Sequence, residues 1–170
     1  MAPETAALQA GTMIIGNSGS GKSTLAQQLA VRMGLPVVAL DDVHWDGADY
    51  RMKRDEGAAR MLIGNAALRP RWIIEGVYGW LADVALPRAT NLIWLDLPWE
   101  VCRAGLMQRG LRPGGATADQ QALLRWAEDY WTRATSTSFS GHCALYEAFA
   151  GNKVRLRTRD EIQTLLAAVP

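Results

Sequence analysis

Cysteine, histidine and long apolar runs are scarce in this sequence, and each shortage excludes a class of protein. The 170 residues contain two cysteines and two histidines, too few and too scattered for a disulfide framework or a zinc site. No apolar run approaches the roughly 18–20 residues that span a bilayer. Residues 1–11 lack the basic and apolar segments of a signal peptide. We therefore expect no membrane association and a reducing, cytoplasmic location.

An excess of either charge is also missing. Lys and Arg number 18 and Asp and Glu 17, which gives a net charge of +1. Proteins whose main partner is nucleic acid are usually more basic, so we regard nucleic acid as an unlikely partner. Hydrophobic residues make up 49% of the chain, enough for an ordinary core. At this length, one domain covering residues 1–170 is the expected organisation.

Five short apolar runs predict buried strands. The runs are aliphatic and lack polar alternation, as expected of strands buried on both faces, and they cover residues 12–15, 37–40, 72–74, 92–95 and 154–156. Helical patterns lie between them. Strand and helix alternate along the chain, so the predicted fold class is α/β, with a parallel sheet covered by helices on both faces.

The helices are predicted from their periodicity and their stop signals. Leu25, Leu29 and Met33 recur every fourth residue and mark one face of a helix that Gly34 should end. Further helices are expected over residues 54–68, 100–109 and 160–168. A long helical stretch over residues 119–149 is expected to break near residues 135–141.

A glycine-rich loop after the first strand matches G-x-x-x-x-G-K-[ST] at every specified position. Glycines let the backbone curl so that successive N–H groups face phosphate oxygens, and the helix that follows adds its positive dipole end. Lys22 is expected to contact the β- and γ-phosphates, and Ser23 to offer a hydroxyl to Mg²⁺. The predicted ATP-binding residues of this loop are Gly16, Asn17, Ser18, Gly19, Ser20, Gly21, Lys22, Ser23 and Thr24.

Carboxylates follow the second and third predicted strands, at the edge where parallel sheets bind ligands. Strand alternation lets only one of Asp41 and Asp42 face that crevice, and the residues alone leave the choice open. The one that does could be a base or a ligand of Mg²⁺-bound water, but a helix N-cap is the alternative. Glu75 could hold the Mg²⁺ hydration shell or the molecule that accepts a phosphoryl group, which we call the acceptor. Asp96 is expected to cap the next helix, because Pro98 follows it.

Aromatic and basic residues extend this candidate site. We expect His44 and Trp45 to form a wall of the acceptor pocket rather than to act in catalysis. A second glycine-rich stretch, residues 110–115, is flanked and followed by arginines that could neutralise charge on a transferred phosphoryl group. Those arginines are Arg103, Arg109, Arg112, Arg125 and Arg133.

These motifs together resemble the adenylate-kinase-like branch of the P-loop kinases. Within that branch the chain is most similar to the bacterial proteins known as DNA topology modulation proteins. The similar stretches are MIIGNSGSGKSTLA, LDDVHW, WIIEGVY, IWLDLP and LLRWAEDYWTR, with KVRLRTRDEIQTLL at the end. The phosphate loop alone is shared by many unrelated proteins, but its combination with WIIEGVY and IWLDLP is far more specific.

The resemblance implies a three-layer αβα sandwich of the P-loop NTPase type, whose five-stranded parallel sheet has the order 2-3-1-4-5. It implies an acceptor-binding insert over about residues 42–70 and a lid over about residues 110–119. It favours Asp41 over Asp42 as the acceptor-side acid. It also implies that Thr158 and Arg159 lie near the adenine.

The resemblance has two departures, both at arginines. Adenylate kinases carry D-G-F-P-R after the third strand, and here Gly79 takes the place of the arginine that holds the acceptor's phosphate. Adenylate kinases also have two lid arginines four residues apart. Arg109 aligns with the second, and Gly105 replaces the first. Arg51, Arg54 or Arg133 could replace the missing phosphate clamp, and an acceptor without a phosphate would not need one.

The sequence therefore predicts an ATP- and Mg²⁺-dependent phosphotransferase acting on a small molecule. The alternative is a nucleotide-binding regulatory ATPase linked to DNA topology, for which Arg51, Lys53 and Arg54 could form a local basic patch. The expected catalytic residues are Lys22, Asp41, Arg109, Arg125 and Arg133. The expected acceptor-binding residues are Asp41, Trp45, Arg51, Arg54, Glu75 and Tyr78, and the expected Mg²⁺ ligands are Ser23 and, through water, Glu75.

Overall fold

The computed structural model describes residues 10–47 and 49–169. The sequence-based expectation that the chain begins without a signal peptide falls largely on residues 1–9, which lie outside the described residues. Within the described ranges, no helix is both long enough and apolar enough to cross a membrane.

A five-stranded parallel sheet forms the centre of the molecule. Its strands are β1 (Gly11–Gly16), β2 (Val37–Ala39), β5 (Trp72–Gly76), β6 (Asn91–Leu95) and β7 (Asn152–Leu156). Their spatial order is β2-β5-β1-β6-β7, which is 2-3-1-4-5 when only these strands are counted. The predicted strand order is thus confirmed. A small antiparallel hairpin, β3 (Trp45–Asp46) with β4 (Met52–Lys53), lies in the insert after β2.

Helices cover both faces of the sheet. They are α1 (Lys22–Met33), α2 (Leu40–His44), α3 (Glu56–Ala67), α4 (Gly79–Ala85), α5 (Trp99–Arg109), α6 (Thr117–Glu128), α7 (Phe139–Ala148) and α8 (Arg159–Ala167), with short 3-10 turns at Leu86–Arg88 and Asp129–Trp131. The central strand explains the layering: Ile14 packs against α1 and α8. Met13 and Ile15 pack against α3, α4 and α7. The predicted three-layer sandwich is confirmed.

Two local predictions differ from the structure. Strand β2 ends at Ala39, and the next residues form the short helix α2, so Asp41 and Asp42 are helical and the alternation argument does not apply to them. The long helix expected over residues 119–149 ends at Glu128 instead. Its break covers the 3-10 turn and irregular residues up to Ser138, earlier and longer than predicted.

The break in the long helix has a packing cause. A Cβ atom at Gly79 or at Gly141 would overlap the backbone carbonyl of Ser136. The Gly79 N–H also donates to the hydroxyl of Thr137 at 3.2 Å. Gly79 and Gly141, which are distant in sequence, thus leave room for the main chain of this irregular segment. Local helical periodicity contains no information about such a contact.

A series of buried hydrogen bonds joins this segment to the sheet. His142 is fully buried, and its Nε2–H donates to the Val77 carbonyl at 2.8 Å. Because a carbonyl can only accept, Nδ1 is left to accept from the Tyr130 hydroxyl at 2.7 Å. Trp94 Nε1 donates to the same hydroxyl at 3.3 Å. Burial lowers the pKa of His142 to about 4, and the nearby charges of Lys22 and Arg133 act in the same direction.

Protonation of His142 should make the protein less stable in mild acid. Because its folded-state pKa is depressed, the unfolded chain binds this proton more readily between the ordinary value of 6.5 and about 4. The free energy of unfolding should be highest above this window. As the pH falls through the window it should decrease by about 3 kcal/mol, because each pKa unit is worth about 1.4 kcal/mol. Urea unfolding at a series of pH values would measure the decrease.

The two histidines provide a variant and its control. His142→Gln should lose most of this pH dependence, whatever its stability at neutral pH. His44→Gln should retain most of it. Burial also lowers the pKa of His44, but this residue is only half-buried and its imidazole makes ring contacts instead of the buried hydrogen bonds of His142. A His142→Gln protein whose stability still falls as steeply as that of the wild type would contradict the assignment.

Candidate active site

The phosphate loop joins β1 to α1 with the backbone geometry that its sequence demands. Gly19 and Gly21 have φ values of 80° and 95°, in the left-handed region that side chains other than glycine rarely adopt. Gly21 precedes α1 and gives the helix no side-chain cap. The first N–H groups of a helix have no partner within the helix, so this end of α1 is suited to an anion.

Side chains hold the loop in shape from both ends. Lys22 is buried, and its Nζ donates to the carbonyl of Asn17 across the loop at 2.7 Å. Burial lowers the pKa of Lys22, while the carboxylates of Glu75 and Asp41 oppose that shift. From α8, Arg159 donates to the carbonyl of Ser20 at 2.7 Å. The hydrogen bond to Asn17 therefore directs the lysine across the loop.

Ser23 and Glu75 are brought together beside this loop. The Ser23 hydroxyl donates to Glu75 Oε1 at 2.8 Å. Glu75 is 4% exposed, and burial raises the pKa of its carboxyl, while Lys22 and the Ser23 hydrogen bond oppose the shift. One hydroxyl and one carboxylate are oxygen donors of the kind Mg²⁺ prefers when phosphates and waters complete its coordination. The donor set therefore fits the predicted ion.

Helix α5 packs directly on the phosphate loop. A Cβ atom at Gly19 would overlap the carbonyl oxygen of Cys102, and one at Gly105 would overlap the carbonyl oxygen of Gly19. Helix α6 adds a polar contact, because the amide of Asn17 donates to the Ala127 carbonyl at 2.8 Å. The predicted loop residue Asn17 thus turns its side chain toward α6.

One cavity of about 640 Å³ opens from the phosphate loop. The site residues expected from the sequence that line it are Ser18, Gly19, Gly21, Lys22, Ser23, Thr24, Glu75, Arg109 and Arg159. Three glutamines for which the sequence carried no signal also line it: Gln28, Gln108 and Gln163. Thr158 is absent from this lining. Its hydroxyl accepts from the Glu161 N–H at 3.1 Å and caps α8.

A second cavity of about 660 Å³ lies beside the first. Six aromatic side chains contribute to its wall, and we call it the aromatic cavity. The predicted residues Trp45, Arg51 and Tyr78 line it. His44, which was expected to form a wall with Trp45, lines it too, and further rings come from Tyr50, Trp80 and Trp126. Trp126 belongs to LLRWAEDYWTR, so the resemblance did point to its segment. Tyr50 and Trp80 carried no comparable signal.

The two cavities meet at three residues: Ser18, Asp41 and Arg112 line both of them. Arg112 donates to Asp41 Oδ2 at 3.1 Å, and its guanidinium lies 4.0 Å from the centroid of the Tyr50 ring. Asp42, the neighbouring acid, lines neither cavity and is 3.5 Å from the Tyr50 hydroxyl. The structure thus brings Asp41, but not Asp42, to the junction.

The predicted arginines separate into three groups. Arg109 and Arg112 line the cavity of the phosphate loop. Arg103 and Arg125 are exposed and line neither cavity. Arg133 lines the aromatic cavity, but its guanidinium donates to the carbonyls of Thr137 and Trp126 and stacks 4.2 Å from the Trp126 ring.

Arg54 braces the insert instead of lining a cavity. It donates to the carbonyls of Val43 and Trp45 at 2.9 and 3.3 Å and pairs with Asp46 at 3.3 Å. Arg51 is exposed at the cavity rim and reaches the Gly114 carbonyl at 3.4 Å. Of the three candidates for the missing phosphate clamp, Arg51 and Arg133 line the aromatic cavity and Arg54 lines neither.

Packing accounts for both missing arginines. At Gly79 the backbone of Ser136 occupies the space that a Cβ would need, and at Gly105 the phosphate loop does so. Neither position can carry a side chain while these backbones keep their paths.

The N-cap predicted for Asp96 is wrong. Pro98 is the residue that precedes α5, and it makes no side-chain cap. Asp96 instead accepts from Arg155 Nε at 2.9 Å and forms an ion pair with it at 2.7 Å, while Arg157 lies 3.7 Å away. This largely buried carboxylate is satisfied instead by Arg155 of the adjacent strand β7, with Arg157 just beyond the end of that strand.

Solved kinases share this fold. A shikimate kinase from Bacteroides thetaiotaomicron has a TM-score of 0.61 at 16% identity, over 94% of this chain and 95% of that chain. A gluconokinase from Sinorhizobium meliloti has a TM-score of 0.58 at 16% identity, covering 95% and 91%. A sugar kinase from a Janibacter species has a TM-score of 0.56 at 18% identity, covering 94% and 91%. At these identities the likeness concerns the fold alone.

Comparison with models of protein families gave no match to this sequence, and comparison with curated proteins gave none either.

The contact between α5 and the phosphate loop predicts opposite effects for two helical glycines. Gly64→Ala should stabilise the protein by about 0.5–1 kcal/mol, because alanine favours helix and the site offers ordinary van der Waals space. Gly105→Ala should destabilise it by about 1–3 kcal/mol, because the new methyl group would force the loop away from α5. Urea unfolding would measure both changes. Equal stability of the two variants would contradict the close approach.

Proposed function

We propose that this protein is an ATP- and Mg²⁺-dependent phosphotransferase that acts on a hydroxyl group of a small molecule. The observation that carries the proposal is the junction of the two cavities at Asp41. One cavity opens from a complete phosphate loop, and the other is large enough for a small molecule. The kinase fold of the solved neighbours supports the same reading, without naming an acceptor for this chain.

The geometry of the donor side supports a role for each of its residues. Lys22 and the first N–H groups of α1 would bind the β- and γ-phosphates, and Arg109 would neutralise charge on the transferred group. Arg159 would flank the nucleotide from α8. Ser23 would bind Mg²⁺ directly and Glu75 would hold one of its waters, and the ion would supply charge neutralisation at the phosphates.

The transfer itself needs a base on the acceptor side. The acceptor's hydroxyl oxygen would attack the γ-phosphorus, the bond from that phosphorus to the β–γ bridging oxygen would break, and ADP would leave. Asp41 would take the proton of the hydroxyl. Arg112 now pairs with Asp41 at 3.1 Å and borders both cavities. A turn toward the phosphates would free the Asp41 carboxylate and add a positive charge beside the leaving group.

The alternative is a regulatory ATPase acting on DNA. Its basic patch would require Arg51, Lys53 and Arg54 together. The Arg54 guanidinium is already committed to two carbonyls and to Asp46, which reduces the patch to two exposed cations. A DNA-binding titration across salt concentrations separates the two functions, since binding through phosphates weakens steeply with salt.

A screen of nucleosides, nucleotides and small alcohols, followed by ADP release, tests the proposal directly. ADP release should exceed the background without acceptor for at least one compound. Lys22→Ala should abolish that excess, because no other side chain of the loop supplies a positive charge. A complete screen without any excess would reject the phosphotransferase.

The adjacent acids give a matched pair of variants. Asp41→Asn should lower kcat by about 10²- to 10⁴-fold, the usual contribution of a general base, while binding of an ATP analogue is retained. Asp42→Asn should leave kcat within about twofold, because Asp42 lines neither cavity. Steady-state kinetics with the acceptor found in the screen would measure both. Equal losses in the two variants would remove Asp41 from this role.

A further inference from the structure

The walls of the aromatic cavity indicate what kind of molecule it holds. The rings of His44 and Tyr78 stack at 4.0 Å with an interplanar angle of 22°. Trp45 meets the His44 ring edge-on at 4.8 Å, and its indole N–H donates to the Tyr78 hydroxyl at 3.1 Å. The Trp126 ring lies 6.4 Å from that of Tyr78. These rings hold one another in place, so they form a preorganised surface against which a planar group can stack.

The cations around the same cavity are already engaged or lie at its rim. Arg112 is paired with Asp41, and Arg133 donates to the carbonyls of Thr137 and Trp126. Arg51 and Lys53 line the cavity but are exposed, so solvent weakens any charge they offer.

Two acids, Asp49 and Asp119, also line the cavity, and both are exposed, so solvent weakens their charges as it does those of Arg51 and Lys53. Asp49 accepts from the Arg51 N–H at 3.2 Å, and Asp119 accepts from the Ala116 N–H at 2.8 Å. Both carboxylates belong to the cavity wall. Among the described lining residues, an acceptor carrying a phosphate or carboxylate would therefore meet only cations that are either engaged, as Arg112 and Arg133 are, or exposed to solvent.

We propose that the aromatic cavity binds an uncharged, hydroxyl-bearing aromatic compound of about nucleoside size. Its ring would stack on Tyr78, and its hydroxyl would reach Asp41 at the junction with the phosphate-loop cavity. This identification rests on the proposed phosphotransferase for its chemistry, but not for the binding itself. The transferred atoms are those already given: the hydroxyl oxygen gains the γ-phosphoryl group, ADP leaves, and the proton goes to Asp41.

Equilibrium dialysis with labelled ligands tests the binding without requiring turnover. The probes are adenosine, cytidine and thymidine, pyridoxine as an aromatic alcohol that is not a nucleoside, and AMP, thymidine monophosphate and shikimate as anionic comparisons. Each is measured with and without a saturating non-hydrolysable ATP analogue, which fills the phosphate-loop cavity. We expect at least one uncharged aromatic probe to bind in the presence of the analogue, about tenfold or more tightly than its anionic counterpart. Nucleosides and pyridoxine then distinguish the two sources of such a ring.

Variants locate the bound ring. Tyr78→Leu and Trp126→Leu should each weaken binding of the uncharged probe about tenfold, the order expected when a stacking platform is lost. Binding of the ATP analogue should be unchanged. The control is Tyr146→Leu, since Tyr146 is also half-buried but packs against Trp94 and lines neither cavity.

Three results would overturn the inference. They are tighter binding of the anionic probes, displacement of the uncharged probe by the ATP analogue, and full retention of binding in both Tyr78→Leu and Trp126→Leu. The proposed function fails by a different route, which is binding of the uncharged probe with no ADP release above background.

Discussion

The arrangement of the whole site depends on one constraint, the direct contact between the phosphate loop and the backbone of helix α5. Gly19 and Gly105 make it possible because neither has a side chain to keep the two segments apart. The contact holds α5 against the loop, and the last residue of this helix, Arg109, lines the phosphate-loop cavity. Arg112, in the segment that follows Gly110, lines it as well. The Asn17–Ala127 hydrogen bond then ties the next helix to the same loop. A local close approach thus determines which charges border the two cavities.

The sheet was predictable because its signal is local. Buried strands such as β1 and β6 consist of continuous apolar residues, and the phosphate loop needs its glycines for reasons of backbone conformation alone. The sheet order followed from resemblance. Elements set by distant contacts were missed. The irregular path near Ser136 depends on Gly79 and Gly141, and the partners of Asp96 come from β7. Periodicity and capping rules contain no information about such contacts.

The residues of the candidate site likewise separate into those fixed by a local motif and those placed by distant contacts. Lys22, Ser23 and Glu75 could be named from the sequence, because a motif or a strand end fixes each of them. The arginines could not be sorted, because sequence distance from a glycine-rich loop does not determine what a guanidinium reaches. Arg133 turns back to Thr137 and Trp126, and Arg54 braces the hairpin of the insert. Arg112 was not among the expected catalytic residues, and only its hydrogen bond to Asp41 distinguishes it from the other arginines near the glycine-rich stretch. The rings of the second cavity gather from separate elements, and only part of that set lay in motifs.

The close approach of the Ser136 main chain to Gly79 limits which substitutions this site can accept. Where adenylate kinases carry an arginine, the main chain of Ser136 fills the space, and that main chain is anchored by Thr137 and by Gly141. A single substitution cannot install a phosphate clamp here, because the obstacle is a backbone and not a side chain. A side chain at Gly79 would require a rerouted main chain at Ser136, with new hydrogen bonds for Thr137 and Arg133. The course of the main chain therefore decides what can occupy this position, and it is far less open to gradual change than the residues that line a pocket.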